Sequence, residues 1–430
     1  MWRKTDSAVV FKLSLIALAL ISSFYIFYGS VHLLVHYHGG VDLEGRVIEQ
    51  QYVYRGVYPA LANPEDGYPR AHLIVPYVDR ELDISFFEGI KNNFEGVTAK
   101  QGRKTYSTGY LPWSYFNATL FFPPFVSQWE WANIKWYFWA LNLLCLLLTA
   151  LLVYQKTKAM GVQWAMVAAF LPIANVATHL NLKNGNYAII VVFCLFLFLH
   201  CIERKNQFGA FLAICLALIK PNISMLFVLI TLVRRQFVLA AAIVIYLIVA
   251  TLVISNVTQS SVYSMFEAFF DNFADFAQKR TDLMLYVESI VAQFGFDEHY
   301  LDTLVYLLLF ISACLSYGFI VLVSRFKIDN LTLFAGIAVI SRVGMYHRNY
   351  DDNMLVFLLL ALFYLFYKTR HRIDFLCFIL VGLTLWLPIG EYASKEVKSI
   401  KVIIWLASMA WLFFRHWQGT KLENKSQNTA

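Results

Sequence analysis

The chain has 430 residues, of which 59% are hydrophobic and only 15% charged, and its mean hydropathy is +0.57. A soluble chain of this length carries about a quarter charged residues and divides into two or three domains, so the composition favours a single membrane-embedded domain over residues 1–430. The net charge of +7 is spread in small Lys/Arg groups at the ends of apolar runs, which is a topology signal and argues against nucleic acid as a partner.

The first apolar run, about Val9 to Val35, follows Trp2-Arg3-Lys4. It is too long for a signal-peptide core and lacks a small-residue cleavage site, which predicts an uncleaved span with a cytoplasmic N-terminus. A polar stretch at 36–130 follows as the first extracytoplasmic loop. Its apolar piece Phe116–Phe125 ends in Pro123-Pro124 and is too short to span. A re-entrant or surface-lying helix is expected there, with Trp113 and Tyr115 at the headgroup level.

The second span is expected near Trp131–Tyr154, closing on Lys156 and Lys158, and two more near Val162–His179 and Tyr187–Ile202. Then come two short apolar segments, Phe208–Ile219 and Asn222–Val233, split by Lys220-Pro221. Proline breaks the helical hydrogen-bond ladder, so the pair is either one kinked span or a hairpin of two short helices. Only the hairpin returns Arg234-Arg235 to the basic side, and it is preferred. The remaining spans are expected near Phe237–Ser255, Tyr300–Val323, Leu331–Met345, Met354–Tyr367, Phe375–Leu387 and Val402–Phe414. The result is an all-α polytopic bundle of about twelve transmembrane helices with both termini cytoplasmic. Lys395, Lys398 and Lys401 fall outside and strain the charge pattern. A second extracytoplasmic segment, 256–299, contains the amphipathic stretch Met265–Phe276, expected on the membrane surface.

The cysteines, Cys145, Cys194, Cys201, Cys215, Cys314 and Cys377, lie in or beside apolar segments without a CxxC pair, which supports neither disulfides nor zinc. His32 and His36 have i, i+4 ligand spacing and His38 is close, but no Cys or carboxylate completes a set, so no metal is expected. Four Asn-x-Ser/Thr matches (Asn117, Asn222, Asn256, Asn330) fall on both predicted sides and carry no assignment.

Three places can carry chemistry. Asp42 follows the first span closely, and a carboxylate held in apolar surroundings can act as a general base; the alternative is a solvated loop acid. Lys220 lies between two apolar segments, where a cation is expensive and marks a functional candidate, with phosphate as its natural partner and interfacial snorkelling as the alternative. Arg342 through Asp352 gathers two arginines, a histidine and two acids at one span boundary, suited to an anionic headgroup or to an ordinary solvated cap.

Together these elements resemble a polyprenyl-phosphate-sugar-dependent glycosyltransferase of the GT-C fold class, most similar to glycosyltransferase family 87. The resemblance rests on Asp42 after the first span and on Arg55-Gly56-Val57-Tyr58-Pro59 as an echo of a Gly-x-x-Pro-Tyr element. Tyr110-Leu111-Pro112-Trp113 stands for a Tyr-Pro-Pro element and Asn184-Gly185-Asn186 for an Asn-Gly-Gln turn. Lys220-Pro221 with Arg234-Arg235 is the most specific match, and Tyr350-Asp351 completes the set.

The resemblance implies a GT-C-like bundle whose large first loop carries interfacial helices. It implies inverting transfer from a polyprenyl-phosphate sugar to a hydroxyl of a lipid or glycan acceptor, on the outer face of a bacterial inner membrane. Asp42 would be the base. Lys220, His347, Arg348 and, more distantly, Arg342 would hold the donor phosphate. Arg46, Arg55, Tyr110, Trp113, Asn184, Asn186, Tyr350 and Asp351 would contact substrate. Neither a cofactor nor a metal is implied. Two other readings are an O-antigen polymerase or ligase, whose large outer loop usually falls late in the chain, and a lipid or solute transporter. The transporter reading expects charges facing one another within the membrane and internal symmetry; the sequence has no internal repeat.

Overall fold

Apolar runs of this length leave backbone groups only one another to bond, and the described residues answer with helices. The computed structural model describes residues 4–35, 39–61, 111–270, 328–344, 347–388 and 395–428, and among these no strand occurs. The helices are α1 (Lys4–Leu34), α2 (Val41–Tyr54), α3 (Pro112–Phe121), α4 (Trp131–Thr157), α5 (Val162–Phe170), α6 (Val176–Asn184) and α7 (Ala188–Glu203). They continue as α8 (Gln207–Ala217), α9 (Pro221–Val233, with a 3-10 turn inside it), α10 (Phe237–Thr258), α11 (Asn330–Gly344), α12 (Val356–Thr369), α13 (Arg372–Trp386) and α14 (Lys395–Asn428). A 3-10 stretch, Asn349–Leu355, leads into α12.

Four of the described helical segments are long and apolar enough to cross a membrane: Phe11–Leu34, Trp131–Met160, Phe237–Thr258 and Asn349–Thr369. The expected total of about twelve is not reached among the described residues. The span expected near Tyr300–Val323 lies outside them, as does most of the 256–299 segment. Ala188–Glu203, Gln207–Ala217, Pro221–Val233 and Asn330–Val343 are apolar but shorter. The expected span Val162–His179 is two helices, α5 and α6, because Pro172 interrupts the ladder and Asn175 restarts it, its side chain accepting from Ala177 N at 2.9 Å.

The first loop contains two helices. Helices were expected in this loop, but not at 41–54, where α2 follows Gly40 directly. α3 starts with Pro112 at its first position, where a missing N–H is harmless. Trp113 and Tyr115 are buried among protein side chains rather than lying at a headgroup surface. Ser114 Oγ and Asn117 Nδ2 donate to the carbonyls of Leu218 and Cys215 at 3.4 and 2.9 Å, which fastens α3 to the end of α8. In the helical segment at 262–270 Met265 is buried with Val53, Tyr58, Tyr115 and Ile254, while Tyr263 and Phe270 are exposed. Phe273 and Phe276 lie outside the described residues.

α8 and α9 form the expected hairpin, because Lys220 and Arg234 sit at opposite ends of the bundle. Arg234 donates to Asn330 Oδ1 at 2.6 Å and to the Ile328 carbonyl at 2.5 Å. Beside them His416 meets Asp329 at 3.1 Å, Arg415 meets Asp374 at 3.5 Å, and Tyr367 donates to the Met160 carbonyl at 3.0 Å. Lys156 pairs with Glu203 at the same level. This basic end is separated from the opposite end by a phenylalanine stack. Phe196 and Phe357 lie 4.3 Å apart, Phe334 and Phe357 5.2 Å, and Phe227 and Phe334 5.3 Å. Each such contact contributes about 0.5–1.5 kcal/mol beyond area burial. The stack ties α7, α9, α11 and α12 together, and several of the polar residues discussed next sit at or beside the ends of those helices.

Candidate functional site

Two glycines bring the first part of the site together. Gly185 closes α6 with φ +68°, and a Cβ there would lie 2.4 Å from Leu43 Cβ. Gly40 starts α2 with φ +86° and donates its N–H to the Lys183 carbonyl at 2.9 Å. Only glycine combines positive φ with so close an approach. The contact seats α2 on the Asn184-Gly185-Asn186 turn and brings Asp42, half-buried, to Asn186, whose Nδ2 donates to Asp42 Oδ2 at 3.0 Å.

Asn186 is the joint of the site. Its Oδ1 accepts from Lys220 Nζ at 2.7 Å and from Ala188 N at 3.1 Å, so one amide touches both Asp42 and Lys220. Lys220 also pairs with Asp351 Oδ1 and lies 4.5 Å from the centre of the Tyr350 ring. The other oxygen, Asp351 Oδ2, accepts from Arg348 N at 3.1 Å and Asn222 Nδ2 at 3.3 Å, and faces His347 Nδ1 at 3.3 Å. His347 Nε2 lies 2.9 Å from the Ser341 carbonyl, which can only accept, so Nε2 carries a proton. Lys220 and Asp351 are 4% and 1% exposed. Burying such a pair is tolerated only when the remaining polar atoms are hydrogen-bonded, and the two asparagines, the Arg348 N–H and His347 supply those bonds.

Asp352 points the other way, since successive residues of a 3-10 helix diverge by about a third of a turn. Its Oδ1 takes Arg342 Nε and its Oδ2 takes Lys401 Nζ at 3.3 Å. Both cations lie 5.5 Å from the Trp405 ring centre, and Trp405 Nε1 is fixed on Thr384 Oγ1 at 2.8 Å. All four of these charged and aromatic side chains are buried.

Arg46, one turn beyond Asp42 on the same face of α2, pairs with Glu49. Both line a cavity of about 10 Å³, the size of one water, together with Gln50, Ser114, Tyr115 and Tyr187. On another face of α2, burial pushes the Glu44 carboxyl up to about 7, opposed by the Lys135 charge.

Of the residues singled out in the sequence, Asp42, Asn186, Lys220, His347, Arg348, Tyr350 and Asp351 meet in one connected cluster, and Arg342 adjoins it through the Asp351-Asp352 pair. Asn184 ends α6 one residue before the Gly185 turn. Arg55 is exposed at the far end of α2, and Trp113 is buried against Phe266 at 6.1 Å. Tyr110, His36 and His38 lie outside the described residues, and His32 packs its ring on Tyr28 at 4.7 Å. Among the described residues no group of three His, Cys, Asp or Glu is placed to hold a metal. Asn222 and Lys401 went unrecognised. The first was visible only as a glycosylation pattern, and the second as a lysine that disturbed the charge scheme.

The arrangement is a buried array of paired acids and bases at one end of an apolar helical bundle. The family model of glycosyltransferase family 87 matches residues 116–346, more than half of the chain, and the protein belongs to that family. It is a glycosyltransferase. The matched segment contains Asn186, Lys220, Asn222 and Arg342, whereas Asp42, the His347–Asp352 cluster and Lys401 lie beyond it. No curated protein and no solved structure matches the chain. The charges that face one another inside the bundle are what the transporter reading also expected; family membership favours transfer chemistry.

Proposed function

We propose that the protein moves a sugar from a polyprenyl-phosphate donor to a hydroxyl of a lipid or glycan acceptor, with inversion, in a GT-C-like bundle. The observation that carries this reading is the Asn186 side chain joining Asp42 to Lys220, with 3.0 and 2.7 Å contacts. A carboxylate and a buried cation held on the two ends of one amide fit the two charge movements of the reaction. Asp42 takes the proton of the acceptor hydroxyl as its oxygen bonds to the anomeric carbon. The bond from that carbon to the phosphate oxygen breaks, and the lipid phosphate leaves with the electron pair. Lys220, aided by His347 and Arg348 and further off by Arg342, stabilises that growing negative charge. Asp351 and Asn222 keep Lys220 and His347 in place, and Tyr350 and Arg46 are the nearest further groups for substrate contact.

The charge distribution supports a face of action. With the end holding Lys156, Lys158, Arg204, Lys205, Arg234 and Arg235 assigned to the cytoplasm, the proposed Asp42–Lys220 site faces the extracytoplasmic side, and a bacterial inner membrane is the proposed location. The experiment is transfer in proteoliposomes from radiolabelled polyprenyl-phosphate sugars to a crude lipid-and-glycan pool, comparing wild type with Asp42→Asn and Lys220→Ala, with and without EDTA. Transfer by wild type that survives EDTA and is lost in Asp42→Asn supports the reading. Full activity of Asp42→Asn removes it as base, and loss of transfer in EDTA overturns the metal-free scheme. Labelled lipid crossing the bilayer without sugar transfer overturns the whole.

A further inference from the structure

The Arg342–Asp352–Lys401 group has no place in that scheme beyond Arg342 itself. Its geometry is specific. One carboxylate receives two cations, one on each oxygen, and the cations come from α11 and α14, elements far apart in the chain. Both lie against the same Trp405 ring, whose face attracts a cation whether or not the carboxylate does. His347 spans the gap to the Lys220 cluster, with Nδ1 toward Asp351 and Nε2 on the carbonyl of Ser341, the residue before Arg342.

We propose that Lys401 is a positioning residue that holds the charge of Asp352, so that Arg342 can leave this carboxylate for the anionic phosphate of a lipid-linked substrate. The inference rests on the reading above, in which Arg342 is a phosphate ligand. A buried carboxylate that loses its cation is strongly unfavourable. With Lys401 in place, Asp352 stays paired after Arg342 moves. Without Lys401, Arg342 is locked on Asp352 and is withheld from the phosphate. α14, which lies outside the family-matched segment, thereby takes part in substrate binding.

The test is equilibrium binding of undecaprenyl phosphate to the purified full chain in detergent, with undecaprenol as the uncharged control. Wild type is expected to prefer the phosphate lipid. Lys401→Met should weaken phosphate-lipid binding by at least about tenfold, because the buried carboxylate now retains Arg342. Lys401→Arg should stay within about threefold of wild type, since a cation is kept. The double variant Lys401→Met with Asp352→Asn should recover binding, because a neutral Asn releases Arg342. A merely structural clamp moves the other way, with the second substitution adding to the damage. Undiminished binding by Lys401→Met, or a double variant weaker than Lys401→Met, overturns the inference. Wild type that binds undecaprenol as well as its phosphate overturns the phosphate reading of the site itself. Should Lys401→Met not fold, Lys401→Gln repeats the comparison in the same pairings.

Discussion

The two ends of the bundle both gather ion pairs, yet they treat charge differently. At the basic end the side chains of Lys156 and Glu203 are 26% and 32% exposed, and water screens their attraction. At the other end the side chains of Lys220 and Asp351 are 5% and 1% exposed, and their remaining polar atoms are hydrogen-bonded by Asn186, Asn222 and the Arg348 N–H. Exposed pairs contribute about 0–1 kcal/mol, whereas burying an ion costs several kcal/mol that only full satisfaction offsets. The Lys156–Glu203 pair therefore adds little to stability. The site end keeps charge where an apolar pair is easier to bury, which is how functional residues inside membrane bundles are recognised.

The sharpest way to break this contrast is to remove one partner at each end. Asp351→Ala strands Lys220 and should destabilise the protein by about 3–5 kcal/mol, while Lys156→Ala should change stability by no more than about 1 kcal/mol, both read from thermal unfolding in detergent. The double variant Lys220→Met with Asp351→Leu should recover most of the lost stability but remain at least about 100-fold down in sugar transfer. A stable double variant with normal transfer reduces the pair to scaffolding.

A second contrast uses two positive-φ glycines. Gly185, φ +68°, is pressed against Leu43 and Gly40, whereas Gly161, φ +93°, faces open space at the basic end, where an added methyl group would meet nothing within 4 Å. Gly161→Ala should show only backbone strain, about 1–3 kcal/mol, with transfer intact. Gly185→Ala adds a clash with α2 and should also part Asp42 from Asn186, lowering kcat well beyond any change in stability. Equal losses of activity from both substitutions would mean that the Gly185 contact does not set the position of Asp42.

Much of this was legible in the sequence, and the misses have physical causes. Lys220-Pro221 between short apolar runs, with Arg234-Arg235 beyond, specified the hairpin because proline and paired cations leave few alternatives. Asp42, Asn186 and Asp351 were found as separate motifs, but their convergence depends on Gly40 and Gly185 seating α2 on the end of α6, a contact between distant segments. α2 itself was missed because its polar face, with Asp42, Arg46 and Glu49, reads as loop until a protein partner covers it. Trp113 was assigned to the interface because aromatics mark both membrane surfaces and cores, and residue type alone does not separate the two. Lys401 disturbed the topology scheme for a reason visible only in three dimensions: its charge is directed to Asp352.

The smallest expected effect lies on α2, where the site end meets a group that titrates near neutrality. Burial holds the Glu44 carboxyl at about 7, up from an ordinary value of 4.5, with the Lys135 charge opposing the rise. Folding thus favours the protonated form. The contribution of Glu44 to stability is fully present below about pH 4.5, falls as pH rises through about 7, and is constant above it. Glu44→Gln should remove that slope, so that the unfolding temperatures of wild type and variant converge at acid pH and separate toward pH 8, the variant being the more stable. Parallel profiles for Glu44→Gln would show that Lys135 offsets the burial of Glu44 completely.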